Sequence, residues 1–362
     1  MKLLRNFAGT TAGLGDSSLR PMTAYDRLRQ DLTDSPCTWL ITGVAGFIGS
    51  HLLEGLLALG QRVVGLDNLS TGTPRNLDEV QSRVSPEQWV RFTFHQGTVA
   101  DMNACREATR NVDYVLHHAG FISVPLSLED PLACHDTNVT GTLNLLTAAR
   151  DSKVRRFVYA SSSAVYGDDT RLPKIEGQIG RPLSPYGASK WMNEIYARLF
   201  LDNFGLESVG LRYFNIFGPR QNPTGGYAAV IPQWIATMLA GEECVINGDG
   251  GITRDFCPVA NVVQANLLAA TTRNQEALGE VFNVALGGST TLQELHGLIS
   301  AALVKTGTTP RPIRYGPARP GDIQHSAADT TAIRNVLGYE PEVQLPDGLA
   351  ETVQWYAKTG QC

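Results

Sequence analysis

No C-x-x-C pair occurs among the six cysteines (Cys37, Cys105, Cys134, Cys244, Cys257 and Cys362), and no histidine is spaced to share a metal with them. That wide spacing argues against a zinc ribbon and a disulfide framework, and predicts reduced, mostly buried thiols in a cytoplasmic protein with no bound metal. Also missing is any apolar stretch of about 18 residues, the length a membrane span needs. The opening MKLLRNFAGTTAGLGDSSLRP carries Lys2 and Arg5 but only short apolar runs, too short for a signal peptide. Residues 1–21 are expected to be a flexible N-terminal extension, with Met22 an equally good start. There is no Lys/Arg run either, and the formal net charge is −5. Neither nucleic acid nor an anionic membrane is therefore expected as the main partner, and a phosphate ligand would have to be held locally. Internal repeats and low-complexity tracts are absent as well.

What is present is ordinary globular material: 362 residues, 43% hydrophobic and 18% charged, enough for a large α/β domain with a smaller one attached. From Thr38 short apolar runs alternate with longer helical ones: TWLITG, GFIGSHLLEGLLALG, RVVGLD, DYVLHHAG, TLNLLTAAR, RFVYASSS. That alternation predicts βαβ units, and the doubly apolar runs VVGL, YVL and FVYA predict strands covered on both faces. The fold class that follows is α/β, a doubly wound parallel Rossmann sheet with a smaller α/β lobe. After about Asn215 the texture changes to the loop-rich GPRQNPTGG, NGDGGITRD and YGPARPGD.

The first strand runs into Gly43-Val44-Ala45-Gly46-Phe47-Ile48-Gly49, a G-x-x-G-x-x-G turn that opens a helix. Glycines there let the backbone turn tightly and let a pyrophosphate reach the amides of the helix start. Asp67 closes the second strand, where a carboxylate accepts from the ribose hydroxyls and repels a 2′-phosphate, favouring NAD over NADP. Asn68 adjoins it, and the plainer reading of the pair is a turn. Ala119 and Gly120 end the fourth strand with room for the cofactor, while His117 and His118 read as packing residues. The division predicted is an NAD-binding domain over 22–215 and a substrate-binding domain over 216–362, with 258–275 able to pack back on the first.

Tyr186 and Lys190 stand at i and i+4 in Ser184-Pro185-Tyr186-Gly187-Ala188-Ser189-Lys190, on one face of a helix starting near Pro185. An ammonium beside a phenol favours the phenolate, so this spacing suits a general base. Ahead of that helix, Ala160-Ser161-Ser162-Ser163-Ala164-Val165-Tyr166-Gly167 ends a strand and offers hydroxyls where ligand sites of open α/β sheets lie. Ser162 is the chosen bridge, with Ser163 beside it.

Taken with L-R-Y-F-N-I-F-G, these motifs resemble the extended short-chain dehydrogenase/reductase family, and more narrowly its nucleotide-sugar 4-epimerases, from about residue 38 to near the C-terminus. The resemblance implies that Tyr186 takes the 4-hydroxyl proton while C4 passes hydride to NAD, and that the 4-keto sugar turns before hydride returns. Relatives that eliminate water carry acids where Ser163 and Ala164 stand, so dehydration is disfavoured. The same resemblance assigns the diphosphate to Asn215, Arg254 and Arg319 and a ribose or loop-ordering role to Asp322. Guanidinium forks suit phosphate oxygens.

Ser326 falls where N-acetyl-tolerant members carry a small residue, and Asn222–Pro232, including Val230, resembles the branch that uses UDP-N-acetylglucosamine or its uronic acid. Two departures stand out: Thr98, in Gln96-Gly97-Thr98-Val99, replaces an acid near the adenine, and Leu126 replaces an arginine beside Ser123. Ser123 and Asn138 are further expected contacts. The preferred reading is a UDP-GlcNAc/UDP-GalNAc 4-epimerase. A UDP-glucose or UDP-(N-acetyl)hexuronic acid epimerase, or a non-catalytic NAD-binding regulator, remain as alternatives. The stripes on Thr137–Arg150 (Leu143, Leu145, Leu146) and Tyr186–Asn203 (Ile195, Leu199) fit a four-helix homodimer interface by resemblance, while core packing within one subunit explains the same stripes.

Overall fold

The computed structural model describes residues 21–224, 228–317 and 325–360. Strands β1 (Thr38–Thr42), β2 (Arg62–Asp67), β3 (Phe92–Gln96), β4 (Tyr114–His117), β5 (Arg156–Ser162) and β6 (Ser208–Tyr213) form one sheet, completed by Val281–Val284. Every pairing is parallel and the order is β3-β2-β1-β4-β5-β6 with Val281–Val284 outermost. Trp39, Leu40 and Ile41 on β1 are wholly buried, as a strand covered on both faces requires. The order reverses between β1 and β4, which opens a crevice at the carboxyl ends of these strands.

Helix α1 (Ala24–Asp34) precedes the sheet. Thr23 and Asp26 make a capping box, and Tyr25, Leu28 and Leu32 bury one face against the core. The turn after β1 runs into helix α2 (Phe47–Ala58), which buries Leu52, Leu53, Leu56 and Leu57. The chain returns to the large lobe three times after residue 215. Helix Val259–Thr271 is buried nearly all round, strand Val281–Val284 joins β6, and helix Thr331–Leu337 adds Ile333 and Leu337 to the same core. Polar residues on the buried helix are each bonded: Asn261 to the Val343 backbone, Gln264 to the Glu340 carbonyl and Asn266 to the Tyr213 hydroxyl.

The smaller lobe is built on helices Val230–Leu239, Leu292–Val304 and Leu345–Thr359, which share a core of Trp234, Ile235, Leu295, Ile299, Val353 and Tyr356. Short strand pairs frame its loops: Val245–Asn247 with Arg314–Gly316, and Thr253–Arg254 with Thr290–Thr291. No helix among the described residues is long and apolar enough to cross a membrane. Cys37, Cys105, Cys134, Cys244 and Cys257 are free thiols.

Candidate active site

The glycine turn is shaped by close approach. Gly43 has φ +71°, and a Cβ there would lie 2.8 Å from the Ala119 nitrogen; a Cβ on Gly49 would lie 2.0 Å from the Gly43 oxygen. Gly46 caps α2 without a side chain, so the first-turn amides of Phe47, Ile48 and Gly49 face an approaching anion at the positive end of the helix. Asp67 is buried, and its carboxylate accepts from the amides of Ala45 (2.9 Å) and Leu69 (2.8 Å), which holds it beside this turn. Asn68 is exposed and its side-chain oxygen accepts from the Ser70 amide in an Asx turn. Thr98 similarly caps the turn after β3, accepting from Ala100 at 3.2 Å. This cradle, uncapped and too tight for any side chain, fits a dinucleotide pyrophosphate.

Thr42 escaped the sequence reading and organises the β1/β4 junction. Its hydroxyl accepts from the amides of His118 (3.2 Å) and Ala119 (3.1 Å) and meets His117 Nδ1 at 2.7 Å. His117 reaches the Thr142 hydroxyl at 2.9 Å on its other side, and His118 stacks on Tyr213 with its Nε2 2.8 Å from the phenol. Burial pushes His118 down to about 3, so it stays neutral. Both histidines are packing residues.

Helix Pro185–Phe204 starts where Ser184 caps the Gly187 amide at 3.1 Å, with Pro185 preset for the first turn. Tyr186 and Lys190 thus fall in its first two turns, over the end of β5. The Ser162 hydroxyl lies near enough to the Tyr186 phenol to favour its ionised form, and it accepts from the Ala164 amide at 3.1 Å. Lys190 Nζ donates to the Ala160 carbonyl at 2.9 Å and lies 5.9 Å from the Tyr186 ring centre. Ser163 opens the following short turn, Ser163–Tyr166. Burial lowers Lys190 to about 8 and raises Tyr186 above its ordinary value, the nearby Ser162 hydroxyl offsetting only part. In the protein alone, desolvation therefore outweighs the acidifying effect expected of the neighbouring ammonium.

Asn138 is wholly committed to structure in this state: its oxygen accepts from the Phe121 amide (2.7 Å), and its nitrogen donates to the Phe121 carbonyl (3.0 Å) and Ser189 hydroxyl (2.9 Å). It clasps the loop leading to Ser123, which caps Val124–Glu129 by accepting from Leu126 at 3.2 Å. Ile122 and Leu126 on that loop are exposed.

Just past β6, Asn215 holds φ +40° and donates from Nδ2 to the Asp255 carbonyl at 3.0 Å. Arg254 lies on the strand before Asp255, with Nη1 donating to the Thr253 carbonyl at 2.8 Å. The Ser326 amide donates to that same oxygen at 3.1 Å, so the structure brings Arg254 and Ser326 together. Val230 opens the helix Val230–Leu239. Arg319 and Asp322 lie outside the described residues, as do residues 225–227 of the segment before Val230. Asp255 was missed in sequence, although it directly follows Arg254. It is buried, accepts from the amides of Leu286 (3.1 Å) and Gly287 (2.9 Å), and is lifted by burial to about 6.

A Rossmann sheet with a glycine cradle and a Ser-Tyr-Lys set at the carboxyl end of β5 defines a class of nicotinamide enzymes, and comparison narrows it. The chain belongs to the NAD dependent epimerase/dehydratase family, which it matches over residues 39–285. It is 37% identical over 324 residues to the UDP-glucose 4-epimerase of Mycolicibacterium smegmatis, covering 89% of this chain and 99% of that one. The UDP-N-acetylglucosamine 4-epimerase of Methanobrevibacter ruminantium, solved with UDP-N-acetylmuramic acid, superposes with a TM-score of 0.81 at 36% identity, covering 89% and 99% of the two chains. The NAD complex of the Thermus thermophilus UDP-glucose 4-epimerase gives 0.76 at 33%, with the same coverage. By this kinship the protein is an NAD-dependent enzyme of the epimerase/dehydratase type.

Proposed function

We propose that the protein inverts C4 of a UDP-hexose reversibly, with UDP-GlcNAc and UDP-GalNAc as its preferred pair and NAD tightly bound. The observation that carries this reading is Lys190 held on the Ala160 carbonyl and over the Tyr186 ring at the end of the strand that carries Ser162, in a loop where Ser163 and Ala164 supply no acid. Gly43, Gly46, Phe47, Ile48, Gly49, Asp67 and Ala119 would hold the dinucleotide. Bound there, NAD supplies a temporary acceptor for the C4 hydride. Tyr186 takes the 4-hydroxyl proton, and Ser162 relays it and polarises the resulting ketone. Positioned proton transfer of this kind contributes about 10²–10⁴-fold. Lys190, as an ammonium, would hold the cofactor ribose and steady the phenolate.

Asn215, Arg254 and Arg319 would anchor the diphosphate, leaving the ketosugar free to turn its other face inward. Asp322 would order the loop around the nucleoside. The acetamido preference rests on the small Ser326 beside Arg254 and on the likeness to the M. ruminantium UDP-N-acetylglucosamine 4-epimerase. NMR of the purified protein with UDP-GlcNAc, UDP-glucose and UDP-glucuronic acid, without added cofactor, tests this. The expected result is fastest inversion of UDP-GlcNAc; no inversion of any of the three refutes the reading.

A further inference from the structure

The helix that carries Tyr186 and Lys190 also buries Glu194, one turn beyond Lys190, which no step above uses. Its side chain is 7% exposed and forms a two-pronged ion pair with Arg212 of β6, itself 4% exposed. Arg212 Nε meets Oε1 at 2.9 Å and Nη2 meets Oε2 at 2.7 Å. The Ser161 hydroxyl donates to Oε1 at 2.5 Å. Ser161 and Arg212 are register partners on β5 and β6, so one carboxylate joins the helix to the ends of two strands. Arg212 is braced from behind, its guanidinium 4.8 Å from the Tyr166 ring centre and its Nη1 donating to the Glu176 carbonyl at 2.9 Å.

Ser161 stands between Ala160, whose carbonyl receives Lys190, and Ser162, which neighbours the Tyr186 phenol. Any slide of the helix along β5 would lengthen the Lys190 bond and shift Tyr186 against Ser162 together. A buried ion pair is a weak source of net stability, because desolvating two charges offsets their attraction. A guanidinium fork closed on a carboxylate does, however, admit essentially one orientation.

We propose that Glu194 is a positioning residue for the epimerisation: with Arg212 and Ser161 it sets the register of the Tyr186–Lys190 helix on β5. This rests on the reading of Tyr186 and Lys190 as the reacting pair. Glu194→Asp keeps the charge but shortens the reach, so it cannot serve Ser161 and Arg212 at once. Its kcat is expected to fall about 10- to 100-fold while KM for the UDP-sugar stays within about twofold. The limb of the kcat–pH profile set by Tyr186 is expected to move with it. Ser161→Ala should show the same pattern more mildly.

Because Glu194→Asp could misfold, the double variant Glu194→Met/Arg212→Met removes both charges together, a change that buried pairs tolerate. It is expected to stay folded and NAD-loaded yet share the kcat loss. Unchanged kcat and pH profile in that folded double variant would make the pair merely structural and overturn the proposal. Tyr186→Phe run alongside separates the two claims. If it abolishes turnover, the base assignment stands and unchanged Glu194 variants count against the register role alone; if it retains turnover, the base assignment has failed.

Discussion

Lys190 holds its ammonium 5.9 Å from the centre of the Tyr186 ring and spends a hydrogen bond on the Ala160 carbonyl, 2.9 Å away, on the strand that ends in Ser162. The backbone of β5 thus holds the ammonium in place over the Tyr186 ring.

Burial brings Lys190 to about 8, which leaves it mostly charged at neutral pH and mostly uncharged above. Affinity of the NAD-stripped protein for NAD is therefore expected to weaken as pH rises through about 8, measured by titration calorimetry. Lys190→Met should bind NAD more weakly and without that step. The sign for stability is opposite. With a folded value of about 8 against 10.5, the folded state binds fewer protons in that window, so Lys190's burial penalty is relieved as pH rises across it.

Gly49→Ala is expected to damage cofactor binding at the backbone, since the new Cβ would sit 2.0 Å from the Gly43 oxygen, and backbone there cannot swing aside. Loss of at least about tenfold in NAD affinity, roughly 1.4 kcal/mol, is expected. Cofactor retained through gel filtration, read by its absorbance, checks this; full retention would show that the cradle relaxes.

Ser326→Tyr tests the acetamido reading. A bulky ring beside Arg254 is expected to raise KM for UDP-GlcNAc about tenfold while leaving UDP-glucose within about twofold. Equal losses on both substrates would remove Ser326 as the gate.

Trp191, Met192, Ile195 and Leu199 are 38–46% exposed along the outer face of the Tyr186 helix. Leu145 and Leu146, from the companion stripe, are instead fully buried in the subunit's own core. A homodimer closed on the exposed stripe predicts that Ile195→Asp shifts the sedimenting species from dimer to monomer. A wild-type monomer at micromolar concentration would rule that interface out.

The main sheet was legible because its strands are short apolar runs between helical ones, and the cradle because its glycines follow directly on a strand. Helix α1 went unread: three apolar residues on one face are a faint signal, and capping by Thr23 and Asp26 becomes meaningful only once the core they close against is known. Thr42, Asp255 and Glu194 were invisible for a related reason. Each acts by joining segments far apart in sequence, Glu194 linking β5 and β6, and Asp255 reaching Leu286 and Gly287. Local spacing holds no trace of such partners. The histidine pair went the other way: the plain packing reading matches their bonds to Thr42, Thr142 and Tyr213.

The Thr253 carbonyl receives both the Arg254 guanidinium and the Ser326 amide. A single peptide oxygen thereby ties the side chain proposed to grip the diphosphate to the backbone of the residue proposed to size the sugar pocket. Remodelling the pocket by a backbone change near Ser326 would tug on the phosphate anchor as well. For an engineer seeking a new hexose preference, side-chain replacement at Ser326 is the separable handle, whereas loop grafts there would need to carry Thr253 and Arg254 with them.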